Sequence, residues 1–192
     1  MEWCGRIDEQ GPMIGVLVSG SGSNLQALLD EGLPVCAVAS NVDGVPALER
    51  AERAGVPTEV FPLVEYPDRV ARDLAMAEWL EENGATLVVC AGYMQLLTVD
   101  FLYCFGGRVV NVHPALLPAF PGAHAIEDAL AAGATVTGAT VHLVDEGVDT
   151  GPVLRQEAVP ILPGDTVETL HARIQAVEHR ILPEVVRELV AT

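Results

Sequence analysis

Short unbroken apolar runs alternate with amphipathic stretches along most of the chain. Met13–Ser19 (MIGVLVS) is continuous and apolar, the pattern of a strand buried on both faces. Gly20–Gly22 breaks it, and Ser23–Asp30 reads as a helix that Ser23 or Asn24 could cap. Pro34–Ser40 predicts a second strand, Val45–Ala54 a second helix and Thr58–Pro62 a short strand. Asp68–Asn83 predicts a longer helix with Val70, Leu74, Ala77 and Leu80 along one face, ended by Asn83-Gly84. Thr86–Ala91 and Arg108–His113 read as further strands, and Ala123–Ala132 as a helix. Two extended stretches follow, Thr135–Val144 and Gly151–Val159. A closing helix from about Asp165 to Ala191 carries the stripe Val167, Leu170, Ile174, Val177 and Ile181.

This β-α-β-α order predicts an α/β fold. The sheet should be doubly wound and mostly parallel, with helices on both faces and an antiparallel extension near the C-terminus. Residues 1–12 read as a polar N-terminal leader and residues 13–192 as one domain. In such sheets ligands bind beyond the carboxyl ends of the strands. The residues just after each strand are therefore where chemistry is expected.

Composition narrows the chemistry. Aspartate and glutamate number 27 against 10 basic residues, a formal charge of −17, and all ten basic residues are arginine. Without lysine there is no Walker lysine, no lysine Schiff base and no lysine general base. The acidic balance argues against nucleic-acid and anionic-membrane partners. An anion would have to be held by a few arginines and by backbone N–H groups. Cys4, Cys36, Cys90 and Cys104 lack a CxxC spacing, and Cys36 and Cys90 read as small buried hydrophobes. Met1–Gln10 has no apolar signal-peptide core, and no run reaches the ~20 residues that span a bilayer. The expectation is a cytoplasmic protein.

Four segments at strand ends carry candidate chemistry. Ser19-Gly-Ser-Gly-Ser-Asn24 opens onto a helix start, where free N–H groups and the helix dipole favour a phosphate. A dinucleotide fingerprint would need glycine where Leu25 stands and an acid where Asn41 stands. Mononucleotide phosphate is thus the better reading, against a turn whose glycines serve only geometry. Gly92–Leu97 follows another strand, and Tyr93, Met94 and Leu96 could line an apolar slot for a flat ring or simply pack in the core. Asn111 and His113 alternate onto one side of their strand, an amide beside an imidazole suited to holding an oxyanion. Pro114 stiffens the exit after His113. Gly147 and Gly151 bend the chain between two extended stretches and leave Asp145, Glu146 and Asp149 in a tight loop, and a carboxylate beside His113 would favour its imidazolium form. His113, His142 and Asp149 could in principle hold a metal, but their spacing shows no local ligand motif.

These segments, in this order, resemble the folate-dependent glycinamide ribonucleotide formyltransferases. The likeness runs from Met13 to the last helix. Its most specific feature is NVHPALLPAFPG, followed 27 residues beyond Gly122 by Asp149 in DEGVDTGP. Asn-x-His with a downstream Asp is shared by the wider formyltransferase superfamily, while Pro121-Gly122 and SGSGSNLQ resemble the glycinamide ribonucleotide branch. The extra domains usual in the methionyl-tRNA and hydrolase branches are not expected. The resemblance implies a Rossmann-like formyltransferase fold and acyl transfer from 10-formyltetrahydrofolate, as co-substrate, to the amine of glycinamide ribonucleotide, with no metal. It implies catalytic roles for Asn111, His113 and Asp149, with Asn111 and His113 on the oxyanion. His113 would protonate the departing folate nitrogen, and Asp149 would orient His113. It further implies that Gly22, Ser23, Asn24 and Glu178 bind glycinamide ribonucleotide. Arg69, Met94, Gln95, Leu96, Leu97, Asn111, Asp145, Glu146, Gly147, Val148 and Asp149 would contact the folate. Gln95 departs from the family, which often has arginine there. Monomer and homodimer both remain open.

Two other functions fit the same residues. A related formyltransferase or a formyltetrahydrofolate hydrolase would keep Asn111, His113 and Asp149 but differ near the phosphate loop and Glu178. A non-catalytic nucleotide-phosphate binder would use only the Gly20–Asn24 cradle.

Overall fold

A computed structural model describes residues 11–191. Most of the expected leader, and Cys4 with it, lies outside the described residues. Seven strands, β1 (Met13–Val18), β2 (Val35–Ser40), β3 (Thr58–Val60), β4 (Ala85–Cys90), β5 (Val109–His113), β6 (Val136–Leu143) and β7 (Val153–Pro160), form one sheet. Their order is β3-β2-β1-β4-β5-β6-β7. The first five strands are parallel, and β6 and β7 join antiparallel. This is the doubly wound, mostly parallel sheet with an antiparallel extension that the alternation predicts. The strand order reverses beside β1, which opens a crevice at the carboxyl ends of β1 and β4.

Six α-helices cover the sheet: α1 (Ser23–Asp30), α2 (Pro46–Arg53), α3 (Arg69–Glu82), α4 (Val99–Cys104), α5 (Ala125–Ala131) and α6 (Val167–Val190). Strand alternation splits the core in two. Val16 and Val18 of β1 face a cluster built from α1, α2, α5 and α6, including Leu25, Leu28, Leu48, Ile126, Leu170, Ile174 and Ile181. Leu17 faces the other cluster, where Met76, Ala77 and Leu80 of α3 meet Phe101 and Leu102 of α4. Asp68 caps α3 by accepting the Ala71 N–H at 2.8 Å, and Thr166 and Thr169 form a reciprocal capping box at the start of α6. Among the described residues no helix is long and apolar enough to cross a membrane.

Three expectations need correction. Val70 and Leu74 are 40% and 42% exposed; α3 instead buries Arg72, Asp73, Met76, Ala77 and Leu80. The buried face is equally periodic, but two of its members are charged and pair with each other. Neither Ser23 nor Asn24 caps α1: Gly22 is its N-cap, with φ 71°, and both side chains turn to α6. For Tyr93 the core-packing reading holds: it is buried, its hydroxyl 4.0 Å from Met76 Sδ. Cys36 is only half-buried, while Cys90 is buried; burial pushes their thiols up to about 11 and about 12. Helix α4 was not anticipated.

Candidate active site

The end of β5 and the neighbouring β6 bring four side chains together. Antiparallel register sets Asn111 opposite His142 and His113 opposite Thr140. His142 Nδ1 lies 2.8 Å from the Leu143 carbonyl oxygen, and its Nε2 meets Asn111 Nδ2 at 3.2 Å. Asp149 enters from the loop after β6. Its Oδ2 sits 3.3 Å from His113 Nδ1 and accepts the Gly122 N–H at 2.8 Å. Its Oδ1 lies 3.4 Å from Asn111 Nδ2 and 3.5 Å from His142 Nε2. Burial pushes the Asp149 carboxyl up. The hydrogen bond with His142, the Gly122 N–H and the charges of His113 and His142 outweigh it, leaving the group below its ordinary value.

Local chemistry explains how Asp149 gets there. Asp145 Oδ1 accepts both the Gly147 N–H (3.1 Å) and the Thr150 hydroxyl (2.7 Å), tying the loop into a tight turn. A Cβ on residue 147 would stand 2.0 Å from Thr150 Oγ1, so only glycine fits. Asp149 itself takes the left-handed conformation, φ 53°, which short polar residues tolerate best. On the other side, Thr140 Oγ1 donates to the Ala115 carbonyl (2.6 Å) and accepts the Leu117 N–H (3.2 Å). Gln156 Nε2 donates to the Leu117 carbonyl at 2.7 Å. This buried set fixes the 114–122 segment, whose Phe120 carbonyl oxygen lies 2.8 Å from His113 Nε2.

The four side chains form one wall of a cavity of about 370 Å³. That is within the size range of small-molecule sites. Met94, Gln95, Leu96 and Leu97 line a second wall and Asp145–Asp149 a third. Arg69 is exposed at the first position of α3 and is not among the lining residues. Among the described residues no group of three or more His, Cys, Asp and Glu side chains is arranged to hold a metal ion.

A second feature adjoins this cavity. The loop Ser19–Asn24 leaves β1 and enters α1, whose first N–H groups have no intrahelical acceptor. Gly22 is required twice over: its φ is 71°, and a Cβ would lie 2.6 Å from that of Ala47. Arg50 Nε donates to the Ser21 carbonyl at 2.8 Å and steadies the loop. Asn24 Nδ2 donates to Glu178 Oε2 at 3.0 Å, and Gln175 Nε2 donates to Ser23 Oγ at 3.1 Å. Burial pushes the Glu178 carboxyl up; the Asn24 amide offsets only part of this. Asn24 Oδ1 is buried without a hydrogen-bond partner among the described residues. Ser19 Oγ accepts the Met94 N–H at 2.8 Å and donates to Asn41 Oδ1 at 2.6 Å, so loop and cavity share a wall.

The sequence pattern of the family described as formyl transferase matches residues 13–186. The chain belongs to the formyl transferase family. It is 50% identical over 178 residues to the phosphoribosylglycinamide formyltransferase of Mycobacterium tuberculosis, covering 91% of this chain and 83% of that one. It is 46% identical over 185 residues to the bovine trifunctional purine biosynthetic protein adenosine-3, covering 93% of this chain but only 18% of that protein's length. The crystal structure of glycinamide ribonucleotide transformylase 1 from Symbiobacterium toebii superposes with a TM-score of 0.92 at 49% identity, covering 96% of this chain and 90% of the other.

Within this family member the cavity brings together groups that the residue pattern does not single out. The sequence offers His142 only as a metal candidate, yet it stands between Asn111 and Asp149. Its signal is register: once β5 and β6 pair antiparallel, it must face Asn111. The Phe120 carbonyl and Gly122 N–H are backbone groups, which carry no residue-type signal at all.

Proposed function

We propose that the chain transfers the formyl group of 10-formyltetrahydrofolate to the amine of glycinamide ribonucleotide, a step of de novo purine biosynthesis. The observation that carries this reading is the meeting of Asn111, His113 and Asp149 at a cavity whose wall is bonded through Ser19 to a phosphate-type helix start.

In this reading the N–H groups of Ser23 and Asn24, at the positive end of α1, hold the phosphate without any lysine. Gly22 lets the loop close on it, and Glu178 takes the ribose hydroxyls. Met94, Gln95, Leu96, Leu97 and the Asp145–Asp149 loop enclose the flat pterin, while Arg69 meets the anionic tail beyond the cavity. Asn111 Nδ2 donates to the oxygen that becomes negative as the amine nitrogen bonds to the formyl carbon, and a protonated His113 does so by turning its Nε2–H from the Phe120 carbonyl to that oxygen. His113 then passes a proton to the folate nitrogen as the bond from that nitrogen to the formyl carbon breaks. The proton shed by the attacking amine restores His113, so no net proton is consumed. Asp149 orients the ring and balances its charge.

The test is an omission assay with the purified chain, 10-formyltetrahydrofolate and glycinamide ribonucleotide. Folate turnover is expected only when both are present. Turnover without the amine would make the chain a hydrolase, and phosphate-ligand binding with no turnover would make it a binder.

A further inference from the structure

Outside the catalytic cluster, one buried charge pair is tied to the cavity by a single hydrogen bond. Arg72 and Asp73, consecutive residues of α3, are 1% and 0% exposed. Arg72 Nε and Nη2 donate to Asp73 Oδ1 at 2.8 and 2.5 Å. The other carboxylate oxygen, Oδ2, accepts the Thr98 N–H at 2.8 Å. Thr98 ends the segment that leaves β4 and is the N-cap of α4, with no side-chain cap of its own. The near end of the same segment is held where Met94 N–H meets Ser19 Oγ. Between these two anchors Met94, Gln95 and Leu96 are exposed and line the cavity, so packing does little to fix them.

A buried ion pair is weak evidence for stability, because apolar residues of similar volume fill a core at least as well. What an apolar pair cannot supply here is an acceptor for the Thr98 N–H. We infer that Asp73, charge-balanced by Arg72, is a positioning residue: through Thr98 it sets the 94–97 wall and thereby the affinity for the formyl-folate substrate. This rests on the function proposed above.

The test compares two charge-free double variants. Arg72→Met/Asp73→Leu removes the acceptor; Arg72→Met/Asp73→Asn keeps an oxygen for the Thr98 N–H. The Leu variant should raise KM for 10-formyltetrahydrofolate about tenfold, with KM for glycinamide ribonucleotide and kcat nearly unchanged. The Asn variant should restore most of the loss. Thr98→Pro removes the donor instead, at a φ of −76° that proline adopts readily, and should match the Leu variant. If the double variants do not fold, Thr98→Pro alone decides. Wild-type folate KM without the hydrogen bond, equal rises for both substrates, or no rescue by asparagine would each overturn the inference. A wild-type chain that transfers no formyl group overturns the functional reading instead, and this inference with it.

Discussion

His113 and Asp149 meet through Nδ1 and Oδ2 at 3.3 Å, while the opposite ring nitrogen of His113 lies 2.8 Å from the Phe120 carbonyl oxygen. Both neighbours are acceptors. Asp149 therefore holds one edge of the ring and the Phe120 carbonyl the other, which fixes its orientation at the cavity wall. The acidic surface, formally −17, is no obstacle to anionic substrates once charge is read locally. In the proposed function phosphate falls to backbone N–H groups, and the one carboxylate in the cluster faces the histidine.

Asp149→Asn tests that pairing. Asparagine tolerates the φ of 53° and keeps the shape, but cannot balance an imidazolium. Turnover should fall at least ~100-fold with the fold retained. The sign of the pH effect is fixed by the lowered carboxyl value. Its stabilising contribution is present above the ordinary 3.8 and is lost as pH falls through the lower folded-state value. The wild-type advantage in Tm over Asp149→Asn should therefore shrink only in that acid range. An advantage constant down to pH 2 would contradict it.

In the proposed reaction, Asn111→Ala and His113→Ala each remove one donor from the oxyanion. Each should cost at least ~100-fold in kcat, read by steady-state kinetics on folded protein. Near-normal turnover in both would dismiss the catalytic assignment while leaving the fold untouched.

His142→Phe keeps an aromatic ring in the core but deletes the nitrogen that meets Asn111 and Asp149. The Asn111 amide then loses one of the side-chain partners that hold it and keeps its contact with Asp149 Oδ1. A loss of about tenfold in kcat with little change in either KM is expected, since the ring acts on the oxyanion donors and not on binding. A change confined to KM would assign His142 to substrate contact instead.

How far these groups were legible follows from what each depends on. The MIGVLV run announces a strand buried on both faces, and Leu170, Ile174 and Ile181 announce the inner face of α6, because burial alone sets those patterns. Strand alternation likewise puts Asn111 and His113 side by side. The face of α3 was misread because its buried members include Arg72 and Asp73, and no hydropathy count favours burying charges. Helix α4 escaped notice because six residues make less than two turns, too short for a period to emerge. His142 depends on the β5–β6 register, and the Phe120 and Gly122 contacts depend on backbone in a proline-rich turn. Both are set by tertiary structure.

Glu178 offers the last prediction, one in which stability and function part company. The carboxyl is 5% exposed, and burial holds it above its ordinary value despite the Asn24 amide. The neutral form is thus the one the fold favours. Its contribution is fully present below the ordinary 4.5 and is lost as pH rises through the raised folded-state value. Glu178→Gln keeps an oxygen for Asn24 Nδ2 and carries no charge to desolvate. At neutral pH the variant should melt higher than the wild type, and the difference should fade in acid. In the proposed function the same change replaces the carboxyl that takes the ribose hydroxyls, so KM for glycinamide ribonucleotide should rise about tenfold with the folate KM unchanged. A variant that melts lower at pH 7 would show the carboxylate to be stabilising where it stands. One that keeps its wild-type KM would remove Glu178 from the substrate site.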